Sequence, residues 1–254
     1  TGKAIKGFRD KVIIATKFGT DPATGRSSIK GGGTKKYIMG AVEESLERLD
    51  TDYIDLYQMH FPDAETPIDE TLRALEELIS SGKVRHIGAS NFASWQISES
   101  GWTSLTNELN QFVSLQTRYS VLTRDIEKEI LPVCAKHDVS LLPYFPLESG
   151  LLTGKVTREK EAPKGSRLAL WKGAFTSEEK FDIIDKLNGF GSEIGRNLLE
   201  MSLAWVANRS QVASVLVGAT SPEQMVQNIE AISWDISEEE IQKILPEKGP
   251  SFEE

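Results

Sequence analysis

The chain has 254 residues, of which 39% are hydrophobic and 26% charged, a make-up that fits a globular protein and excludes a disordered or collagen-like one. Its 29 basic and 38 acidic side chains leave a formal charge of −9, which argues against a broad nucleic-acid-binding surface. No apolar run reaches the ~18 residues of a membrane-spanning helix, the opening TGKAIKGFRDK lacks a signal-like apolar stretch, and the single Cys134, set among helix formers, reads as a buried structural thiol. A cytoplasmic protein with no membrane or nucleic-acid partner is expected.

In chain order, KVIIAT (11–16) predicts a first strand. A helix follows over 34–50, with Thr34 as N-cap and Ile38, Val42, Leu46 and Leu49 on one stripe. YIDLYQM (53–59) predicts a strand. The next helix turns Leu72, Leu75, Leu78 and Ile79 inward and stops at Gly82. VRHIGAS (84–90), FVSLQ (112–116) and VSLLPY (139–144) predict three more strands, with a helix over 124–138 between the last two. Helices at 177–190 and 195–209 lead to the apolar run ASVLVG (213–218), then to helices at 221–232 and 237–245.

Short Val-, Ile- and Leu-rich strands alternating with amphipathic helices imply a parallel sheet with right-handed crossovers. No G-x-G-x-x-G turn follows the first strand, which removes the usual argument for an open dinucleotide-binding sheet. Six strands could form an open doubly wound sheet, but together with the motifs below they are better explained by a (β/α)8 TIM barrel whose first two strands are absent from the chain, the whole of 1–254 forming one domain.

In parallel barrels, chemistry gathers where strands end and helices have yet to begin. Those positions hold Lys17, His60, Ser90 with Asn91, Gln116, Tyr144, and Gly218-Ala219-Thr220. A lone strand-end Lys is ordinarily solvated and a lone His ordinarily structural; six such clusters on one rim shift the reading toward function. No Cys/His set has metal-ligand spacing, so no metal is expected. His86 reads as a mid-strand residue held by packing or a backbone hydrogen bond, His137 as a surface residue at a helix end, and Trp205 as core packing. Trp171 reads equally as packing or as pocket lining, and RSSIKGGGTKK (26–36) as a mobile loop bordering a substrate mouth.

Taken together, IIATKFG (13–19), SLERLDTDYIDLYQMHFPD (45–63), GKVRHIGASNF (82–92), SLQTRYSVLTRDIE (114–127), YFPLESGLLTGK (144–155) and VGATSPEQMVQN (217–228) resemble the aldo-keto reductases, and within them the bacterial branch similar to potassium-channel beta subunits. The resemblance runs from residue 1 to about 245. It implies a (β/α)8 barrel that reduces aldehydes or ketones to alcohols with NADP(H), NAD(H) being possible, on a small-molecule carbonyl substrate. Of the family's Asp-Tyr-Lys-His tetrad, Lys17 and His60 match the Lys and His. The D-T-A-x-x-Y-G type segment that bears the Asp and Tyr has no match, and neither Tyr37 in a helix nor Tyr53 at a strand's start stands in for it. The chain is accordingly expected to begin inside the second barrel helix, with roughly 60 residues ahead of it.

The same resemblance assigns Ser90, Asn91 and Gln116 to the nicotinamide carboxamide and Tyr144 to stacking on its ring. It assigns Phe145, Pro146, Leu147, Ser149, Gly150 and Lys155 to the pyrophosphate loop, where relatives often carry Ser at the Phe145 position. Gly218, Thr220, Gln224, Gln227 and Asn228 fall to the adenosine site, with Ser221 capping the helix that Pro222 opens. Relatives often have Arg where Thr220 stands, so Arg167 is the candidate grip on a 2′-phosphate. A non-catalytic, redox-sensing nucleotide binder is the alternative function.

Overall fold

A computed structural model describes residues 1–21, 28–159, 162, 164–165, 167–170, 176–237, 239–240 and 245. The chain divides into two compact units, one of residues 1–117 with 129–141 and one of 118–128 with 142–254. Each is built on its own local logic.

The first unit opens with α1 (Gly2–Ile5) and a 3₁₀ turn at Arg9–Lys11, then alternates strand and helix. These elements are β1 (Ala15–Phe18), α2 (Lys35–Leu49), β2 (Ile54–Met59), α3 (Ile68–Ser80), β3 (Val84–Ser90), α4 (Ser94–Asn107), β4 (Ser114–Arg118), α5 (Ile130–Lys136) and β5 (Ser140–Tyr144), of which Arg118 and residues 142–144 are counted with the second unit. The sheet order is β1-β2-β3-β4-β5, so each strand lies beside the one before it in sequence. The pairs β1–β2, β2–β3 and β3–β4 are parallel, as helical crossovers require. This is the α/β alternation of a (β/α)8 barrel. β2 is buried along nearly its whole length, which is why YIDLYQM reads as an apolar run rather than an alternating one.

The helix signals act locally as expected. The Thr34 hydroxyl accepts the Tyr37 N–H, and Ile38 and Val42 are fully buried beneath α2. α3 buries Leu72, Leu75 and Leu78 and ends where Gly82, at φ +75°, turns the chain into β3. Cys134 is fully buried, and burial pushes its thiol up to about 11.

Within the first unit three readings change. The first strand begins at Ala15 rather than Lys11, because the Asp55 carboxylate takes the Ile14 N–H at 2.9 Å and Ile13 points outward, 83% exposed. α4 carries no predicted counterpart: it buries Ile97 with Ser100 and Ser104 and exposes Trp95, Trp102 and Leu105, so its apolar pattern is inverted relative to an ordinary amphipathic helix. The described part of the Gly-rich loop is docked rather than loose. Gly33 donates to Asp63 at 3.0 Å and accepts from the Thr71 hydroxyl at 2.8 Å.

The second unit holds a six-residue 3₁₀ segment (Glu148–Thr153), α6 (Arg167–Leu170), α7 (Glu178–Glu193), α8 (Leu198–Ala207) and α9 (Pro222–Ile232). α8 is apolar on nearly every side and buried; Trp205 packs on Tyr119 with ring centroids 5.3 Å apart, as a core residue should. Among the described residues, ASVLVG forms a single bridge, Tyr144 with Leu216, instead of a sixth strand. Leu216 donates to the Pro143 carbonyl at 2.9 Å yet remains 39% exposed, so the run does not bury both faces as its composition predicts. The expected helix at 237–245 falls largely, and Trp171 and residues 26–27 fall wholly, outside the described residues.

Candidate active site

In the first unit the ends of β1 to β4 bring together Lys17, His60, Ser90, Asn91 and Gln116. The β1–β2 register pairs Lys17 with Gln58 and Phe18 with Met59, and the His60 N–H extends it by one step to the Phe18 carbonyl at 2.8 Å. Lys17 and His60 are thereby set at neighbouring strand ends. Both are half-buried. Burial lowers the Lys17 ammonium from its usual range. Burial also lowers the His60 imidazole, and the positive charge of Lys17 lowers it further. The imidazole stacks on Phe61 with centroids 4.6 Å apart.

One strand further, Ser90 is fully buried and in register with Gln116. Asn91 takes φ +59°, a left-handed conformation that Asn tolerates better than most residues, and its N–H reaches the Gln116 carbonyl at 3.0 Å. Its side-chain amide donates to the His60 carbonyl at 3.0 Å and to the Ser90 hydroxyl at 3.1 Å. A strained backbone position thus ties the ends of β2, β3 and β4 into one network.

Two residues that sequence reasoning passed over enter here. Gln58, the penultimate residue of β2, donates its amide N–H to the Gln116 side-chain oxygen at 3.2 Å. Its signal is an amide set next to the end of the largely apolar run YIDLYQM. Asp63, after His60, accepts from the Thr66 hydroxyl at 2.6 Å and from the Gly33 and Glu65 N–H groups. Burial alone would raise its carboxyl, but those hydrogen bonds outweigh it and hold the group below the usual range. Asp63 therefore anchors the loop after β2 to the glycine segment.

The second unit carries the remaining predicted residues. Tyr144 ends β5 with its ring edge-on to Phe145 at 5.3 Å; burial raises its phenol, against the charge of Arg118. Pro146 is buried, whereas Leu147, Ser149 and Gly150 are half-buried and Lys155 is exposed. The loop is tightly folded, with left-handed backbone at Phe145, Glu148, Ser149 and Gly150. Glu148, fully buried, holds it there: it accepts from the Ser120 hydroxyl at 2.6 Å and the Thr123 hydroxyl at 2.8 Å, and pairs with Arg118. The residue was legible only as one letter of a motif.

At α9, the Ser221 hydroxyl accepts the Gln224 N–H and Pro222 occupies the first turn, as expected. The Gln224 side-chain oxygen, however, turns back to the Thr220 N–H at 2.9 Å and hydroxyl at 3.0 Å. Asn228 is buried, and Gly218, Thr220 and Gln227 are exposed. The Arg167 side chain lies outside the described residues. Among the described residues no group of three or more His, Cys, Asp and Glu side chains could hold a metal, and no helix is long and apolar enough to cross a membrane.

Residues 1–245 match the model of the aldo/keto reductase family. The chain is 35% identical to an NADH-specific methylglyoxal reductase of Escherichia coli, over 93% of its own length and 74% of that protein's. It is 32% identical to a probable aldo-keto reductase 1 of Glycine max, over 96% and 69%. It is 34% identical to a probable voltage-gated potassium channel subunit beta of Oryza sativa, over 88% and 69%. A match along nearly the whole chain, together with strand-end residues of the expected types, makes this protein a member of the aldo/keto reductase family.

Proposed function

We propose that this protein reduces aldehyde or ketone carbonyls of small molecules to alcohols, with NADPH as donor and NADH as an accepted substitute. The placement of Lys17 and His60 at adjoining strand ends, the charge of one acting on the ring of the other, carries the reading. The name of the Escherichia coli relative supports both the substrate class and the use of NADH.

The residues fit the nicotinamide group. Ser90, Asn91 and Gln116 are neutral, each able to donate and accept, and they sit together at the ends of β3 and β4. A carboxamide with one acceptor oxygen and two N–H donors asks for such a set. When bound, the dinucleotide supplies the hydride. The chain's own contribution is positional and electrostatic. Burial and Lys17 keep the His60 imidazole neutral near pH 7, so one ring nitrogen donates to the substrate carbonyl oxygen. The Lys17 cation favours negative charge growing on that oxygen. In the second unit, the family resemblance assigns Tyr144 to the ring, the 145–155 loop to the pyrophosphate, and Gly218, Thr220, Gln224, Gln227 and Asn228 to the adenosine half.

The family's Asp and Tyr have no match among the 254 residues. General acid–base assistance is worth roughly 10²–10⁴-fold, so this chain should bind cofactor yet turn over slowly. Following NADPH oxidation with a simple aldehyde tests both parts. Slow turnover abolished by His60→Ala supports the reading. Brisk turnover overturns the tetrad assignment, and absence of saturable NADPH binding overturns the cofactor reading.

A further inference from the structure

Gln58 sits one residue from the C-terminal end of β2, in register with Lys17 on β1 and with Gly88 on β3. It is 1% exposed, an unusual place for an amide. Its side chain passes over β3 to reach Gln116 on β4, and Gly88 is what lets it pass. A Cβ at Gly88 would meet the Gln58 Cγ at 3.2 Å and the Ser114 Oγ at 2.5 Å. The Gln58 Nε2 donates to the Gln116 Oε1 at 3.2 Å, and the Gln58 Oε1 is buried with no hydrogen-bond partner.

That arrangement is costly for stability. An orphaned buried acceptor weakens the fold, and an apolar side chain of the same length would fill the space without the penalty. What it accomplishes is orientation. The terminal torsion of a glutamine is broad and nearly two-fold, so an unrestrained Gln116 presents oxygen or NH2 with little preference. A donor held against its Oε1 fixes which of the two amide atoms is turned toward Gln58, and so directs the Nε2 away from it.

We propose that Gln58 is a positioning residue: it fixes the Gln116 amide with its N–H donors toward the nicotinamide carboxamide oxygen. This deepens the cofactor reading above and rests on it. Gln58 itself needs no contact with cofactor or substrate. Its effect is confined to the nicotinamide end of the dinucleotide, which a general packing role would not be.

The test measures dissociation constants of NADPH and of 2′-phospho-ADP-ribose, which lacks the nicotinamide. The proteins are wild type, Gln58→Met, Gln116→Met and the double variant. Gln58→Met should weaken NADPH by about three- to tenfold, the worth of one hydrogen bond, while 2′-phospho-ADP-ribose binds unchanged and thermal stability is equal or higher. In the Gln116→Met background the Gln58 substitution should add nothing. Unchanged NADPH affinity, equal weakening of both ligands, or additive penalties would each overturn the role of Gln58 while leaving the cofactor reading intact. A wild-type protein that binds 2′-phospho-ADP-ribose but not NADPH, or neither ligand, would overturn the cofactor reading and the inference with it.

Discussion

The ammonium of Lys17 and the imidazole of His60 end adjacent parallel strands, and the first lowers the proton affinity of the second. Burial is the larger influence on His60, with the Lys17 charge adding to it. An NMR titration should therefore find His60 below its ordinary value of 6.5, and Lys17→Met should raise it without restoring that value. Because the folded pKa lies below the unfolded one, His60 contributes its full stability above the unfolded pKa. That contribution falls away as pH drops below 6.5. A His60 titration unmoved by Lys17→Met would separate the two residues.

Asp55 marks the opposite end of β2. It pairs with Arg9 at 2.7 Å and Arg85 at 2.8 Å, while those two guanidinium groups lie 3.9 and 4.1 Å from the Tyr53 ring centroid. Burial would raise the Asp55 carboxyl, but the Ile14 N–H and Arg9 prevail and hold it below 3.8. Its stabilisation is thus present above the unfolded carboxyl pKa and is lost as pH falls through the lower folded value. Asp55→Ala should cost about 3 kcal/mol in urea unfolding, the low end for a broken buried pair because Arg85 is solvated. The loss should shrink in acid.

Glu148 should matter to the second unit in proportion to its burial. Glu148→Ala removes the carboxylate that pairs with Arg118 and accepts from the Ser120 and Thr123 hydroxyls, and should destabilise by about 3 kcal/mol. Glu148→Gln, which still accepts from Ser120 and Thr123, should cost roughly half as much. Equal thermal shifts for both variants would deny the hydroxyl contacts their part.

Gly88 tests the crowding at the centre of the sheet. Gly88→Ala places a methyl against the Ser114 oxygen and should destabilise by about 1–3 kcal/mol. Adding Ser114→Ala removes the closest clash and should recover part of that loss; chemical denaturation of the single and double variants decides it.

The placement of the candidate residues is legible in this chain because the ends of parallel strands fall at one kind of position in the sequence. Lys17, His60, Ser90, Asn91 and Gln116 follow their strands in sequence as they do in space. What stayed hidden depends on contacts that skip strands. Gln58 reaches Gln116 across Gly88, and Asp55 takes the N–H that would have begun β1. α4 escaped the periodicity because its buried face is built from Ser100 and Ser104 as much as from Ile97, while two tryptophans face outward. ASVLVG shows the reverse failing: apolar composition promised a strand, but a single bridge at Leu216 leaves the run half-exposed. The helix spacing that puts Gln224 within reach of adenine does not reveal that its side-chain oxygen accepts from the Thr220 N–H and hydroxyl.

The most direct measurement is an NMR titration of the isotope-labelled protein with NADPH, following the side-chain amides of Asn91 and Gln116 and the imidazole of His60. The account predicts saturable shifts at all three, largest at the Gln116 amide, with Asp55 and its arginine partners unmoved. Saturable binding that leaves those three signals in place would contradict it.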